Sequence, residues 1–553
     1  MRSAATPTAP TASSRGWLLA LAAAVAAGLG IRLLFLGDKA LWLDEAYSVW
    51  FSQQSWHVLW RETPYYETHP PLYYSLLKLW RGLGSDEAVL RLLSVLANVA
   101  TIGLVALTAY VAVPPPQRLM VACTSGLLFA VSPLQLGLAQ QARPYALLML
   151  GLGLALAGAT WLVTHPARAA RPLWCLGDGC RLLAYLGLSL GIAMLLWMHN
   201  LGAIFVVALG VMLGVWWTRQ RDQRFPLFAN FAVAALLALA LYAPNLPTLL
   251  LQVNAVSENF WLKAPSPAAL WLLLLQVYGQ WQQLFSQPLQ QIAVQSLLAV
   301  PLAVLGIGGI RHLCSQSQDH RWVPWLLLGA ALVPLLIMLA VTYTVRPVLL
   351  ARTLAPVQVP WAIVCGAAPF AAGGRRAPLI WGAICVVGLL NVAGFITSQA
   401  TEKRRDMQRP WRAIAASIAA SDAATAPIFM VPNGSALALG YYDEKLGTDL
   451  AIHPLPAAYP ARSSAYRYPS GGRGEPAIDE AVLPALLSLT ADAPSAWLIT
   501  RLEDLFDPTQ VVRNALAARF PCAESKTFRA IVVTRFDRPK DDAKPGAWAS
   551  TCP

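Results

Sequence analysis

Charged side chains are scarce in this chain. Lys, Arg, Asp and Glu make up 12% of its 553 residues, whereas an average soluble domain has about 25%. Hydrophobic residues make up 57%, and the mean hydropathy is +0.51. So little charge over so long a chain excludes a protein that is soluble along its whole length. It predicts an α-helical polytopic membrane protein.

Cysteine is also rare, with eight residues. Three lie in apolar stretches and are interpreted as small core residues. Cys175 and Cys180 have a spacing that suits a metal, but no second ligand pair accompanies them, so the sequence predicts no zinc site. Cys522 and Cys552 lie near the C-terminus and are able to pair if that segment is in an oxidising compartment.

Acidic residues are too few to balance the basic ones, and the net charge is +13. Residues 401–553 are nearly neutral, with 18 basic and 17 acidic side chains. The excess therefore belongs to the membrane part, in short connections that all fall on the side of the N-terminus. Positive residues mark the cytoplasmic side of a membrane protein. The charge thus indicates topology, and no nucleic-acid partner is predicted.

Long apolar stretches give the membrane spans, since about 20 such residues cross a bilayer as a helix. We predict about eleven transmembrane helices near 17–36, 88–112, 119–134, 144–163, 182–198, 201–217, 226–245, 289–310, 323–343, 354–371 and 378–397. Arg32 and Arg346, near the ends of spans, are interpreted as ordinary interfacial residues. The chain is then a multi-pass protein of the cell (inner) membrane, with a cytoplasmic N-terminus and an extracytoplasmic C-terminus.

The domain boundaries follow from the spans. Residues 1–16 form a cytoplasmic tail, 17–397 a transmembrane domain with a first extracytoplasmic loop at 37–87, and 398–553 a soluble domain. In the last of these, Pro410 begins a helical pattern, and short apolar runs at 428–431, 496–500 and 530–536 predict strands. We predict a small extracytoplasmic α/β domain, which has no glycine-rich phosphate motif.

The first outward loop holds the most informative residues. It contains Leu41-Trp-Leu-Asp-Glu-Ala-Tyr-Ser48, His69-Pro-Pro-Leu-Tyr-Tyr74 and Glu87-Ala-Val-Leu-Arg-Leu-Leu-Ser94. These segments resemble the first loop of the C-type (GT-C) glycosyltransferases. The closest branch is the dolichyl-phosphate-mannose protein mannosyltransferase-like family, which includes the bacterial aminoarabinose and galacturonic acid transferases of lipid A.

Later segments add to the resemblance, which runs from about residue 31 to 412. They are Ser132-Pro-Leu134, Gln140-Gln-Ala-Arg-Pro-Tyr145, His199-Asn200, Arg352-Thr-Leu-Ala-Pro356 and Pro410-Trp-Arg412. Two positions depart from the family pattern: Gln141 stands where Glu is frequent, and Thr353 stands where Tyr is usual.

The resemblance implies a membrane glycosyltransferase that takes a sugar from a polyprenyl-phosphate donor. It implies a lipid, glycan or protein acceptor on the periplasmic or outer face, with membrane lipids as further partners. It also assigns Asp44 as the catalytic acidic residue, with Glu45 beside it. A carboxylate near an incoming hydroxyl or amine removes its proton as the anomeric carbon is attacked. The alternative is that both acids only cap a helix N-terminus.

The donor phosphate needs cations and hydrogen-bond donors. Arg143, Tyr145 and Arg352 lie at outer ends of spans, and arginine's planar fork suits phosphate oxygens. His69, fixed by two prolines, is the fourth candidate. The alternatives are arginines that extend to the interface and a solvated loop histidine. No cofactor is expected and no metal site is assigned, although a divalent ion at the acidic loop is left open.

Two other classes of function share the many spans. A transporter or flippase of lipid-linked sugar is expected to place ionisable residues at mid-span or to repeat a pair of broken helices, and neither pattern is evident. A non-catalytic membrane assembly subunit is the other alternative. Loss of activity in Asp44→Asn, with normal expression, separates an enzyme from both.

Overall fold

The structure is a computed structural model of the whole chain. It describes residues 12–173, 177–255, 262–279, 304–316, 320–371, 377–405, 410–472 and 474–539. Most of these residues are helical, and five short strands lie near the C-terminus. This distribution agrees with a membrane protein that carries a small α/β domain at its end.

The helices are numbered in chain order. They are α1 (Ala12–Leu33), α2 (Leu43–Gln53), α3 (Leu72–Trp80), α4 (Glu87–Ala112), α5 (Arg118–Ala130), α6 (Pro133–Ala139), α7 (Tyr145–Thr164), α8 (Pro166–Ala169), α9 (Gly179–Met198), α10 (Gly202–Thr218), α11 (Arg224–Tyr242), α12 (Leu246–Ala255) and α13 (Pro267–Tyr278). They continue with α14 (Val304–Cys314), α15 (Val323–Thr344), α16 (Ala351–Leu354), α17 (Gln358–Gly366), α18 (Ala368–Ala371), α19 (Ala377–Arg405), α20 (Trp411–Ala419), α21 (Ala436–Leu446), α22 (Leu483–Leu489), α23 (Glu503–Phe506) and α24 (Val511–Arg519).

The predicted spans agree with these helices. Among the described residues, eight helices are long and apolar enough to cross a membrane, or nine if one bent pair is counted as a span. Ten of the predicted spans coincide with helices or broken helices, and the span at 289–310 lies mostly outside the described residues. The predicted fold class is confirmed.

One predicted span is broken. The stretch 119–134 was predicted as one span, but α5 and α6 meet within it at an angle of 62°. Ser132 is extended (φ −65°, ψ 122°), and Pro133 begins the next helix. Proline disfavours helical backbone in the residue before it, so the chain turns at Ser132.

The chain divides into two compact units. One contains 1–36, 90–249 and 263–398, and we call it the membrane unit. The other contains 37–89, 250–262 and 399–553, and we call it the loop–tail unit. The first outward loop therefore packs with the C-terminal segment, although most of the transmembrane chain separates them in sequence. The sequence-based domain boundaries, which follow chain connectivity, stay a prediction.

Within the membrane unit, α7 and α9 pack with their backbones close together. A β-carbon on Gly158 would overlap the backbone carbonyl of Ala184, and one on Gly191 would overlap Gly151 and Ala155. Small residues allow such close backbone approach between membrane helices. Glycine at these two positions is therefore required by packing.

The loop–tail unit contains one five-stranded sheet in the order β2-β1-β3-β5-β4. Its strands are β1 (Ile428–Val431), β2 (Ile452–Pro454), β3 (Ser495–Arg501), β4 (Cys522–Phe528) and β5 (Ile531–Asp537). β1 pairs in parallel with β2 and β3, whereas β5 pairs antiparallel with β3 and β4. The predicted strands correspond to β1, β3 and β5, and the predicted helix after Pro410 is α20.

Candidate active site

Helix α2 carries Asp44 and Glu45 in its first turn. Trp42 precedes the helix with extended backbone (φ −86°, ψ 167°), and its N–H donates to Oε2 of Glu45 at 3.2 Å. Glu45 is fully buried, whereas Asp44 keeps 9% of its surface exposed. Glu45 thus satisfies a backbone donor at the helix start, which the capping alternative assigned to both acids. Only Asp44 retains exposed surface for chemistry.

Aromatic rings surround α2. The ring of Tyr459, from the C-terminal segment, lies edge-on to Tyr47 at 4.9 Å and to Trp50 at 5.2 Å between centroids. Phe51 packs at 4.7 Å against Tyr74 and at 6.1 Å against Tyr66. Such ring pairs add to the stabilisation that apolar burial gives. The helix that bears Asp44 is therefore packed between aromatic side chains of the first outward loop and of the C-terminal segment.

His69 is paired with a carboxylate that the sequence analysis did not identify. Its backbone N–H donates to Oε1 of Glu67 at 2.8 Å, and Nδ1 lies 2.5 Å from the same oxygen. Gln252 donates to the carbonyl of Glu67 at 2.6 Å. The His69 side chain is 15% exposed, so the alternative of a solvated loop histidine is wrong. A role in phosphate binding stays a prediction.

Basic residues of the tail hold the end of the first loop. The Glu87 side chain, 3% exposed, accepts from Arg412 at 2.5 Å and pairs with Lys445. Arg412 also donates to the carbonyl of Asp38 at 3.1 Å. Glu87 is the first residue of α4. Arg412 therefore contacts both ends of the 37–89 segment, at Asp38 and at Glu87.

The membrane unit brings two predicted phosphate-binding residues to one aromatic ring. The guanidinium of Arg143 lies 5.9 Å from the Tyr145 ring centroid, and that of Arg352 lies 5.7 Å from it. Arg143 is 5% exposed, so the alternative of a side chain extended to the interface is wrong for this residue. Two arginines over one tyrosine form a compact cationic cluster of the kind that suits a phosphate group.

Thr353 explains one departure from the family pattern. Its hydroxyl donates to the carbonyl of Leu350 at 2.9 Å and accepts from the N–H of the same residue at 3.1 Å. The side chain thus closes the turn that begins α16. The short helix that carries Arg352 is held by this cap, so Thr353 has a local role that a tyrosine could not perform in the same way.

A buried polar chain also lies in the membrane unit. Arg32, expected at the membrane interface, is 0% exposed and donates to Asn98 at 2.8 Å and to the carbonyl of Ala130 at 2.9 Å. Asn98 donates to Gln135 at 3.0 Å, and Gln135 donates to Gln358 at 2.8 Å. The expectation for Arg32 was wrong because Asn98 and the Ala130 carbonyl at the end of α5 accept hydrogen bonds from its guanidinium inside the protein. In the sequence, these hydrogen-bonded side chains are visible as isolated polar residues within the apolar spans.

Across the described residues, no group of three or more His, Cys, Asp or Glu side chains is placed to hold a metal ion. Cys522 is in a disulfide, whereas Cys552 lies outside the described residues. Cys175 also lies outside them, and Cys180 is a free cysteine. Metal dependence stays a prediction.

The comparisons agree with this architecture. No protein-family model and no curated protein matches the sequence. Among solved structures, the chain is similar to ArnT from Cupriavidus metallidurans in the apo state, with a TM-score of 0.63 and 14% identity over 95% of this chain and 98% of that one. The same protein bound to undecaprenyl phosphate gives 0.61, with 14% identity over 94% and 98%. The archaeal oligosaccharyltransferase AglB from Archaeoglobus fulgidus, in complex with an inhibitory peptide and a dolichol-phosphate, gives 0.50 and 10% identity over 98% of this chain and 76% of that one.

These likenesses extend over nearly the whole chain. At such low identity they establish that this chain shares the fold of ArnT and AglB. The fold that the sequence motifs implied is thereby confirmed.

Proposed function

We propose that this chain is an integral-membrane glycosyltransferase. It transfers a sugar from a polyprenyl-phosphate donor to a lipid, glycan or protein acceptor on the extracytoplasmic face. The observation that carries the proposal is the placement of Asp44 in the first turn of α2, with Glu45 used as the cap, in a chain with this fold. Two of the similar structures contain a polyprenyl phosphate, which supports the donor class.

The proposed reaction is an inverting displacement. Asp44 removes the proton from the acceptor hydroxyl or amine, and the acceptor atom forms a bond to the anomeric carbon. The bond between that carbon and the phosphate oxygen breaks, and the polyprenyl phosphate leaves with the electron pair. Arg143 and Arg352 stabilise the negative charge that develops on the phosphate, and His69 donates a further hydrogen bond.

The proposal includes an active site outside the cytoplasm and no metal requirement. The charge bias of the connections supports the orientation. A monophosphate donor has less charge to neutralise than a diphosphate, and arginines are available to neutralise it. The first loop and the tail then act together on the face where lipid-linked sugars are used.

The test uses the full-length protein reconstituted in lipid nanodiscs. A panel of undecaprenyl-phosphate sugars, labelled in the sugar, is supplied together with cell-envelope membranes as the source of acceptor. Wild-type protein should move label from the donor to a membrane component, and Asp44→Asn should lower turnover by about a hundredfold or more. Normal turnover by Asp44→Asn would exclude Asp44 as the base, and no transfer from any member of the panel would contradict the donor class.

A further inference from the structure

Tyr47 lies three residues after Asp44 on α2, and residues at this spacing share a face of a helix. Its hydroxyl donates to Oε1 of Glu475 at 2.5 Å. Glu475 belongs to the loop that precedes α22, in the C-terminal segment, and is 2% exposed. A buried carboxylate of the tail is therefore bonded to the helix face that carries the proposed base.

The sheet anchors the other side of Glu475. Oε2 of Glu475 lies 3.6 Å from Nη2 of Arg501, the last residue of β3. That strand pairs with β1 on one side and with β5 on the other, so it is the central strand of the sheet. Arg501, Glu475 and Tyr47 thus form a continuous polar link from the centre of the sheet to α2, which we call the Tyr47–Glu475–Arg501 link.

The turn after β1 packs closely against the Tyr47–Glu475 hydrogen bond. A β-carbon on Gly434 would overlap both the Tyr47 hydroxyl and Oε1 of Glu475. Gly434 is thus the residue that allows the backbone to pass directly beside the hydrogen bond. Because packed interiors yield little to added atoms, the position of the Tyr47 hydroxyl is determined from two directions.

The ring of Tyr47 is fixed as well. Tyr459 packs edge-on against it at 4.9 Å, so ring and hydroxyl are both held by the tail. Burial, together with the charge of Glu475, raises the pKa of Tyr47 well above its ordinary value of 10. The hydroxyl therefore stays protonated and remains a hydrogen-bond donor at physiological pH.

We propose that Glu475 and Tyr47 are positioning residues that set the rotation of α2 and so the direction of the Asp44 carboxylate. The inference rests on the proposed function, because it concerns the geometry of that reaction. A misplacement of about 1 Å at a reacting group can cost roughly a hundredfold in rate. The C-terminal segment then takes part in catalysis through α2 without touching the substrate.

The experiment measures kcat and the donor KM of full-length variants. Each kcat is calculated from the concentration of folded, monodisperse protein. Tyr47→Phe and Glu475→Ala should each lower kcat about tenfold or more, because Asp44 loses its orientation, while the donor KM stays within about twofold. The double variant should lose no more than the worse single variant, because the two residues act as a unit. Glu475→Gln keeps an acceptor oxygen and should recover most of the rate.

Two matched controls accompany these variants. Gly434→Ala should reproduce the loss of kcat, whereas Gly440→Ala, where an added β-carbon meets nothing within 4 Å, should not. Tyr468→Phe removes a hydroxyl whose hydrogen bonds stay within its own loop, and kcat should be unchanged.

Three results would overturn the inference. They are a wild-type kcat in Tyr47→Phe, additive losses of kcat in the double variant, and a loss of activity that disappears when kcat is calculated per mole of folded protein. If Asp44→Asn is inactive and Tyr47→Phe has full activity, only this inference fails. If Asp44→Asn is itself active, the proposed function fails first.

Discussion

Arg143 and Arg352 share one aromatic neighbour, since both guanidinium groups lie within 6 Å of the centre of the Tyr145 ring. The two arginines come from distant parts of the chain, one in the turn before α7 and the other in α16. We expect two positive charges held at one ring to bind a phosphate more strongly than either arginine alone. This relationship gives the first prediction.

Arg143→Ala and Arg352→Ala should each raise the donor KM about tenfold or more, because a hydrogen bond to a charged group is lost. The acceptor KM should change much less. Steady-state kinetics with the donor and acceptor varied separately gives both values. Arg346→Ala is the control, since Arg346 was interpreted as an ordinary interfacial residue. Equal effects of all three substitutions on the donor KM would contradict a specific phosphate cluster.

We expect the two acidic residues of α2 to have different roles, Asp44 a catalytic one and Glu45 a structural one. Glu45→Ala removes the acceptor for the Trp42 N–H and should lower stability by about 1 kcal/mol, the usual cost of a lost cap. Glu45→Gln keeps an acceptor oxygen and should retain most of the turnover that Asp44→Asn loses. Thermal unfolding followed by tryptophan fluorescence, with turnover measured on the same samples, distinguishes the two roles. A Glu45→Gln variant as inactive as Asp44→Asn would contradict this division.

The Glu87 cluster should stabilise the loop–tail unit. Glu87→Gln removes the charge that pairs with Arg412 and Lys445. The two cationic side chains are 34% and 35% exposed, so the loss should be about 2 kcal/mol, less than for a fully buried pair. Limited proteolysis and thermal unfolding of the full chain report this change.

Asp86 is the matched control for Glu87. It also pairs with Lys445, at 2.9 Å, but its side chain is 73% exposed. Asp86→Asn should therefore change stability by about 0.5 kcal/mol or less. If both variants unfold at the same temperature as the wild type, the cluster does not hold the loop.

The sequence predicted the elements whose evidence is local. Spans such as 88–112 and 323–343 were found because apolar residues must continue for the thickness of a bilayer. Strands β1 and β3 are apolar runs, whereas β2 has three residues and β4 is half polar at a sheet edge, so neither has a strong pattern. The break at Ser132 has a local signal in Pro133, but a span predicted from the length of an apolar stretch alone does not take it into account.

The site residues also divide into those with local sequence evidence and those without it. Asp44, Arg143 and Arg352 were identified because their local segments resemble a family. Glu475 was not identified, because its partner Tyr47 lies 428 residues away, and no periodicity encodes such a contact. Arg32 was misplaced for a related reason: burial depends on neighbouring helices and not on its own span.

Topology is the next prediction. From the basic connections we predict that 375–376 lie in the cytoplasm and 398–553 outside it. A reporter that is active only in the periplasm should be active when fused at Pro553 and silent when fused after Arg376. A reporter that is active only in the cytoplasm, fused at the same positions, provides the control. The reverse result would place the Asp44 loop in the cytosol and would overturn the proposed site.

The last prediction concerns the chemical class of the donor. Nucleotide sugars are made in the cytosol, and the sequence has no glycine-rich nucleotide-binding motif. An active site on the extracytoplasmic face must use a donor that arrives through the membrane, and a polyprenyl-phosphate sugar does so. Purified protein in nanodiscs should therefore transfer sugar from an undecaprenyl-monophosphate donor and not from the matching nucleotide sugar. Arg143→Ala should weaken use of the lipid donor, and short-chain donors should show whether the lipid tail contributes to binding. Transfer from the nucleotide sugar alone would show that the proposed reaction is wrong, whatever the fold.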